Sequence, residues 1–324
     1  MQALNIKNDE ILEEINSLKI LDGLESQKLD NFNQFKVATH IRAIEEAIVS
    51  LAKENKLRGP IHSYVGEEAI ATGVLSHANP LDAVTSTHRG HGHYIAKGGN
   101  ISMLLDELHG KESGCNGGKG GSMHVADLSI NHFGANGIVG GGVPIACGIA
   151  LANKIDKKDS IVFCFFGDGA SNQGVVLESF NLAGFLSLPI IFICENNQFA
   201  QSTKLSDVSL TSVAKKSEGF GIKSIEVDGL NISEVTCKTY DAVNYTRHEK
   251  KPYLIQANTY RFHRHFVSER PKPIDYLDEN FHKKFLSKDP IINYCYLNKI
   301  DFKLLENYLT SIKDIIFNYS KKIR

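Results

Sequence analysis

The chain has 324 residues, 42% of them apolar, and a formal net charge of −1. This is enough for one large or two small globular domains, and no apolar run approaches the length of a membrane span. So balanced a charge excludes a general attraction to nucleic acid or to a lipid surface. The six cysteines, Cys115, Cys147, Cys164, Cys194, Cys237 and Cys295, lack CxxC spacing and several lie in apolar runs. They read as reduced, buried and structural. The first residues carry Asp9, Glu10, Glu13 and Glu14 and no apolar signal core. The expectation is therefore a cytoplasmic protein.

In chain order, residues 11 to 21 and 37 to 57 read as helices. In the second, Val37, Ile41, Ile44, Ile48 and Leu51 recur at three- and four-residue steps, and Gly59-Pro60 ends it. His62 follows in a loop before a helix opened by Gly66 and Glu67. THRGHGH, at 87 to 93, brings His88, His91 and His93 together, but Arg89 among them would repel a metal ion. A guanidinium there suits bidentate clamping of a phosphate, as an exposed clamp that contributes to the ligand and little to the core, and His91 and His93 read as polar loop residues. Gly114 to Ser122 is glycine-dense and contains Lys119, yet a GxxxxGK[ST] phosphate loop needs a glycine at Ser113 and a hydroxyl at Gly120. It reads instead as a loop supporting the active site. Gly134 to Gly148 combines closely spaced glycines with Val139 and Pro144, and opens a small-residue helix through Ile149 and Ala152.

Ile161 to Phe166 is an unbroken β-branched and aromatic run that stops at Gly167, the pattern of a parallel strand buried on both faces. Gly167, Asp168 and Gly169 make the turn, and Ser171 or Asn172 is placed to cap a helix. Val176, Phe180, Ala183 and Gly184 form that helix's sheet-facing stripe. Beyond Pro189, Ile190 to Cys194 reads as the next strand, ending in Glu195, Asn196 and Asn197. A right-handed crossover puts both strand ends at one carboxyl edge, where α/β proteins bind ligands. The Asp168 carboxylate, the Asn197 amide oxygen and the Phe199 carbonyl then offer three hard oxygen ligands. They suit a magnesium ion whose other ligands are phosphate and water. The amides of Gly169 and Ala170, at the mouth of the helix, are placed to bind phosphate oxygens. The Rossmann alternative fails for want of its third glycine.

From Ala200 to Glu218 the chain is polar and reads as a mobile connection. Lys223 to Val227 and Tyr253 to Tyr260 read as strands around a helix from Ser233 to Tyr245. His265, at a strand end beside arginines, is a reasonable anion ligand. Residues 301 to 319 form a last helix with Phe302, Leu305, Leu309, Ile312 and Ile316 on one face. The fold class expected is a doubly wound, mostly parallel α/β sheet with helices on both faces. Its divisions would be a helical extension at 1–60, a ligand-binding domain at 61–275 and a helical tail at 276–324.

Gly167-Asp168-Gly169 followed by Glu195-Asn196-Asn197 resembles the thiamin diphosphate motif of the α subunits of two-chain 2-oxo acid and acetoin dehydrogenases. The resemblance runs from about Val37 to Tyr260 and includes THRGHGH, GKGGSMH at 118 to 124 and GANGIVG at 134 to 140. THRGHGH and ENNQFAQST are closer to the acetoin enzymes than to pyruvate dehydrogenases. The resemblance implies that Asp168, Asn197 and Phe199 hold Mg2+ under the diphosphate, and that Arg89 and His88 contact the diphosphate. His88 stands where pyruvate dehydrogenases often have tyrosine. It further implies that the Gly137 carbonyl and the Val139 N–H bind the aminopyrimidine, with Val139 wedged beneath the bent cofactor. It also places His62 in the site and has His265 contact diphosphate or substrate, and both are expected as catalytic residues.

The implied reaction cleaves a carbon–carbon bond beside the carbonyl of a 2-oxo acid or of acetoin, and passes the fragment to lipoamide on a separate acyltransferase. The implied partner is a β subunit that supplies the glutamate activating the aminopyrimidine, in an assembly of two α and two β chains, and the small-residue helix from Gly140 and the apolar C-terminal face offer contact surfaces for it. Phe266 replaces the serine of many members, and ERPKP replaces an arginine-bearing loop. Lipoyl docking and phosphorylation control are thus open, as is a non-catalytic thiamin-binding paralogue.

Overall fold

The computed structural model describes residues 7–18, 20–24, 30–268 and 279–323. The ERPKP segment and the boundary expected at 275 and 276 lie outside the described residues. Before the sheet come α1 (Asn8–Asn16), α2 (Asn31–Lys53) and α3 (Glu68–Leu75). The Asp30 side chain caps α2 by accepting the Asn33 N–H at 2.7 Å. The chain then runs through β1 (Ala83–Thr85), α4 (His91–Ala96), α5 (Ile101–His109), α6 (Gly142–Ile155), β2 (Val162–Gly167), α7 (Gly174–Leu186) and β3 (Ile190–Asn196). After these come α8 (Leu205–Val208), α9 (Val213–Glu218), β4 (Lys223–Asp228), α10 (Ile232–Glu249) and β5 (Tyr253–Asn258). The last helices are α11 (Glu279–Leu286), α12 (Pro290–Leu297) and α13 (Phe302–Lys322).

Among the described residues the strands form one parallel sheet in the order β1-β2-β3-β5-β4. Side chains alternate across a pleated strand, so each apolar run feeds two cores. Phe163, Phe165, Ile191 and Ile193 enter the core shared with α2, α3, α5 and α10. Val162, Cys164, Phe166, Phe192 and Cys194 enter the core beneath α6 and α7. This is the expected α/β architecture with both faces covered, and it explains why β2 and β3 are apolar throughout. β4, at the edge, is half exposed, and its exposed residues Lys223, Glu226 and Asp228 are charged, which discourages edge pairing.

Several local expectations need correction. Residues Asp168–Asn172 form a 3-10 turn and α7 starts at Gly174, so neither Ser171 nor Asn172 caps it. The Ser171 hydroxyl donates back to the Asp168 carbonyl at 2.7 Å. Gly169 and Ala170 therefore sit in that turn and not at the mouth of a long helix, which removes the helix-dipole argument for them. The polar stretch after Ala200 contains α8 and α9, the latter capped by Ser212. On α13, Phe302 is exposed, while Leu305, Ile312 and Ile316 are buried against the rest of the chain. Tyr308 of that helix stacks on Phe35 of α2 with ring centroids 5.9 Å apart. Its apolar face is thus spent inside the molecule and is not the partner surface expected of it. All six cysteines are free thiols, but Cys237 is exposed.

A buried ion network ties the terminal helices to the loop before α3. Arg42 on α2 reaches Glu68 at 2.5 Å and Asp289 at 2.8 Å, and Glu68 also accepts the Gly66 N–H at 3.0 Å. Asp289 in turn caps α12. Substituting Arg42 with alanine would leave two buried carboxylates unpaired, a loss of about 3–5 kcal/mol. The expected result is a large fall in unfolding midpoint, read by denaturant titration, with the loop carrying His62 loosened as well.

Candidate active site

Four parallel strands deliver their carboxyl ends to one cleft. β1 runs into Ser86 to Arg89, β2 into Asp168, β3 into Asn197 and β5 towards Arg261 and His265. The cleft has a volume of about 460 Å³, within the range of a small-molecule site. Its walls bring together all the residues singled out above: His62, His88, Arg89, Gly137, Val139, Asp168, Gly169, Ala170, Asn197, Phe199 and His265. Phe165, Phe166, Ile138 and Met123 make part of the wall apolar.

Asp168 is 2% exposed and its Oδ2 has no hydrogen-bond partner. A buried carboxylate oxygen left unsatisfied is costly unless something binds it. Burial pushes Asp168 up to about 6, against the attraction of Arg261 and the support of the Gly169 N–H. Asn197 is held from the other side, its Nδ2 donating to Glu67 Oε1 at 2.8 Å. Its Oδ1 accepts a long bond of 3.4 Å from the Phe199 N–H. Gln198 between them has a φ of 72°, a left-handed turn that carries the chain from Asn197 to Phe199. An orphaned carboxylate oxygen beside an oriented amide is a donor set that could hold a hard divalent cation.

The positive charge comes from two arginines. Arg89 is 4% exposed, and its guanidinium donates to the Ser63 carbonyl and, at 3.0 Å, to the His265 carbonyl. It also lies 3.6 Å from Glu67. Arg261, which the sequence reading passed over, donates to the Ala200 carbonyl at 3.1 Å and pairs with His265 Nδ1 at 3.0 Å. Burial and Arg261 push Arg89 down to about 10, so it stays charged at neutral pH. Arg89 is therefore not the exposed clamp expected. Arg89→Ala should lower the melting temperature of the ligand-free protein as well as weaken anion binding. The bonds to Ser63 and His265 are of the kind whose loss costs on the order of 2 kcal/mol.

His62, His88 and His265 cluster with ligating atoms within 4.8 Å of one another. Arg89 and Arg261 beside them disfavour a cation there and favour an anion. Burial first, then Arg89, pushes His62 down to about 3 and holds His88 well below its ordinary value. Both are neutral at pH 7, so they serve as hydrogen-bonding groups while the arginines carry the charge.

His91 and His93 are not loop residues. Both are fully buried in α4, His91 bonded to Glu45 at 2.8 Å and His93 to Glu195 at 2.9 Å. Glu195 also accepts the Tyr64 hydroxyl at 2.5 Å, and Ser86 bonds the other nitrogen of His93 at 2.7 Å. This network stiffens the floor of the cleft. The glycine-dense loop is organised by Glu107, whose carboxylate accepts the N–H groups of Asn116, Gly118, Gly120 and Gly121 at 2.7–2.9 Å. That grip carries Met123 to the cleft wall, and no sequence motif marked Glu107 for it.

The dehydrogenase E1 component family matches residues 36–297. The α subunit of acetoin:2,6-dichlorophenolindophenol oxidoreductase from Bacillus subtilis (strain 168) is 43% identical over 230 residues, 71% of this chain and 69% of that protein. Its counterpart from Cupriavidus necator is 44% identical over the same shares. The α subunit of the pyruvate dehydrogenase E1 component from Rickettsia prowazekii is 33% identical over 302 residues, 91% of this chain and 92% of that protein. With four-fifths of its length matched and the expected cleft at its strand ends, this chain belongs to the dehydrogenase E1 component family.

Proposed function

We propose that this chain is the α subunit of a thiamin-diphosphate-dependent dehydrogenase that acts on acetoin or a pyruvate-like 2-oxo acid and passes the product fragment to lipoamide. The observation that carries the reading is the buried, unpartnered Asp168 Oδ2 beside Asn197, facing two arginines across one cleft. Asp168, Asn197 and the Phe199 carbonyl would hold Mg2+. Arg89, His88 and His265, with the Gly169 and Ala170 amides, would hold the diphosphate, and Arg261 adds a second guanidinium. Gly137 and Val139 would seat the aminopyrimidine, with the apolar wall excluding water. When bound, thiamin diphosphate supplies the nucleophilic carbon that breaks a carbon–carbon bond next to a carbonyl.

The protein's own share is position and electrostatics. Arg89 and Arg261 fix the anionic end, and the neutral His62 offers its ring as a hydrogen-bond partner to substrate. The partner would be a β subunit that supplies the activating glutamate, in a complex of two α and two β chains served by a lipoyl-bearing acyltransferase. The observations favour acetoin and pyruvate equally as chemistry, and the higher identity to the acetoin proteins favours acetoin. Turnover of each substrate by the assembled subunits, with 2,6-dichlorophenolindophenol as acceptor, tests this. Reduction of the dye with either substrate supports the reading, and cofactor binding without any turnover would favour a non-catalytic paralogue.

A further inference from the structure

Asn197 presents a metal ligand only if its amide is turned the right way. The two faces of a side-chain amide are nearly equal in shape, and a free one is able to offer either oxygen or nitrogen to the site. Here the choice is made by a residue outside the ligand set. Glu67, at the start of α3, is 1% exposed, and its Oε1 accepts the Asn197 Nδ2 at 2.8 Å across 130 residues of sequence. Its other oxygen has no hydrogen bond and faces Arg89 Nε at 3.6 Å. Acceptors on Glu67 draw the NH2 group of Asn197 towards α3, which leaves Oδ1 for the cation. The Phe199 N–H reaches Oδ1 at 3.4 Å, too long to fix the amide alone.

Resting on the cation site proposed above, we infer that Glu67 is a positioning residue. It locks the Asn197 amide with its oxygen towards the metal, and so sets the affinity for the divalent cation without ligating it. Partners that orient a ligand from behind commonly account for 10- to 100-fold in metal affinity. Glu67 also joins Asn197, on the cation side of the cleft, to Arg89.

The test is the Mg2+ concentration that half-saturates thiamin diphosphate binding, measured by calorimetry on the chain assembled with its partner subunit. Glu67→Leu removes the acceptor and should raise that concentration at least about tenfold. Glu67→Gln keeps an acceptor at the same reach and should stay within about threefold, a rescue that a merely space-filling role would not require. In an Asn197→Ala background the effect of Glu67→Leu should vanish, because the residue acts through that amide.

Wild-type magnesium dependence in Glu67→Leu, or a loss that persists undiminished when Asn197 is alanine, would overturn the inference. Should Glu67→Leu not fold, Glu67→Met is read in the same way. Unfolding of both would show that Glu67 holds the fold and not the amide. Asp168→Ala in the same assay separates the failures. If it also binds with wild-type magnesium dependence the cation site itself is misassigned, whereas if it alone loses magnesium the site stands and only the role of Glu67 falls.

Discussion

Asp168→Ala is expected to abolish magnesium-dependent binding of thiamin diphosphate. A divalent cation between a diphosphate and a protein is held mainly by the charged ligand, and the oxygens of Asn197 and Phe199 are neutral. Asp168 is 2% exposed, and at so buried a position a missing charge is poorly replaced by solvent. The stability of the ligand-free protein should move the other way. The folded-state value of Asp168, about 6, lies above its ordinary 3.8 because burial disfavours the charge. A group raised in the folded state stabilises below its unfolded value and loses that contribution as the pH rises through its folded one. At pH 7 Asp168 is therefore charged at a cost. Asp168→Asn, close to it in shape, should raise the melting temperature of the ligand-free protein at pH 7 and have little effect at pH 4. Unchanged cofactor affinity in calorimetry, or a lower melting temperature for Asp168→Asn at pH 7, would contradict this assignment.

The second large effect is on activity: this chain alone should turn over neither acetoin nor pyruvate. The chemistry expected needs a carboxyl group poised to activate the cofactor ring, and among the described residues each acidic side chain lining the cleft is already committed. Asp168 faces the cation position, Glu67 holds Asn197, and Glu195 is bonded to Tyr64 and His93. Glu68, its neighbour, is engaged with Arg42. On the cleft wall, Ile138 and Val139 are 72% and 53% exposed, an apolar rim suited to cover by a second subunit. Loss of a positioned proton-transfer group commonly lowers rates by about 10²–10⁴-fold. The lone chain should fall short of the assembled enzyme by at least about 100-fold in a dye-reduction assay. Comparable turnover without a partner would show that the activating group lies on this chain.

The sequence was most legible where physics is local. The apolar runs from Ile161 and Ile190, each stopped by small or polar residues, located β2 and β3 and thereby placed Asp168 and Asn197 at one sheet edge. β1 went unread because three residues are too few to show a period. Long-range partners were equally invisible. His91 and His93 looked like loop residues because Glu45 and Glu195, which bury them, lie 46 and 102 positions away. Arg89 looked exposed because one of its anchors is the carbonyl of His265, 176 positions on. The face of α13 was read correctly as apolar, with the exception of Phe302, but a stripe of periodicity does not say what covers it. Here α2 does.

The most direct measurement is a calorimetric titration of the assembled protein with thiamin diphosphate, NAD and ATP in turn, each with Mg2+ and with a chelator. Saturable binding of thiamin diphosphate that requires Mg2+, with no heat from NAD or ATP, is the expected result. Binding indifferent to Mg2+, or a preference for either nucleotide, would contradict a magnesium diphosphate site at the ends of β2 and β3.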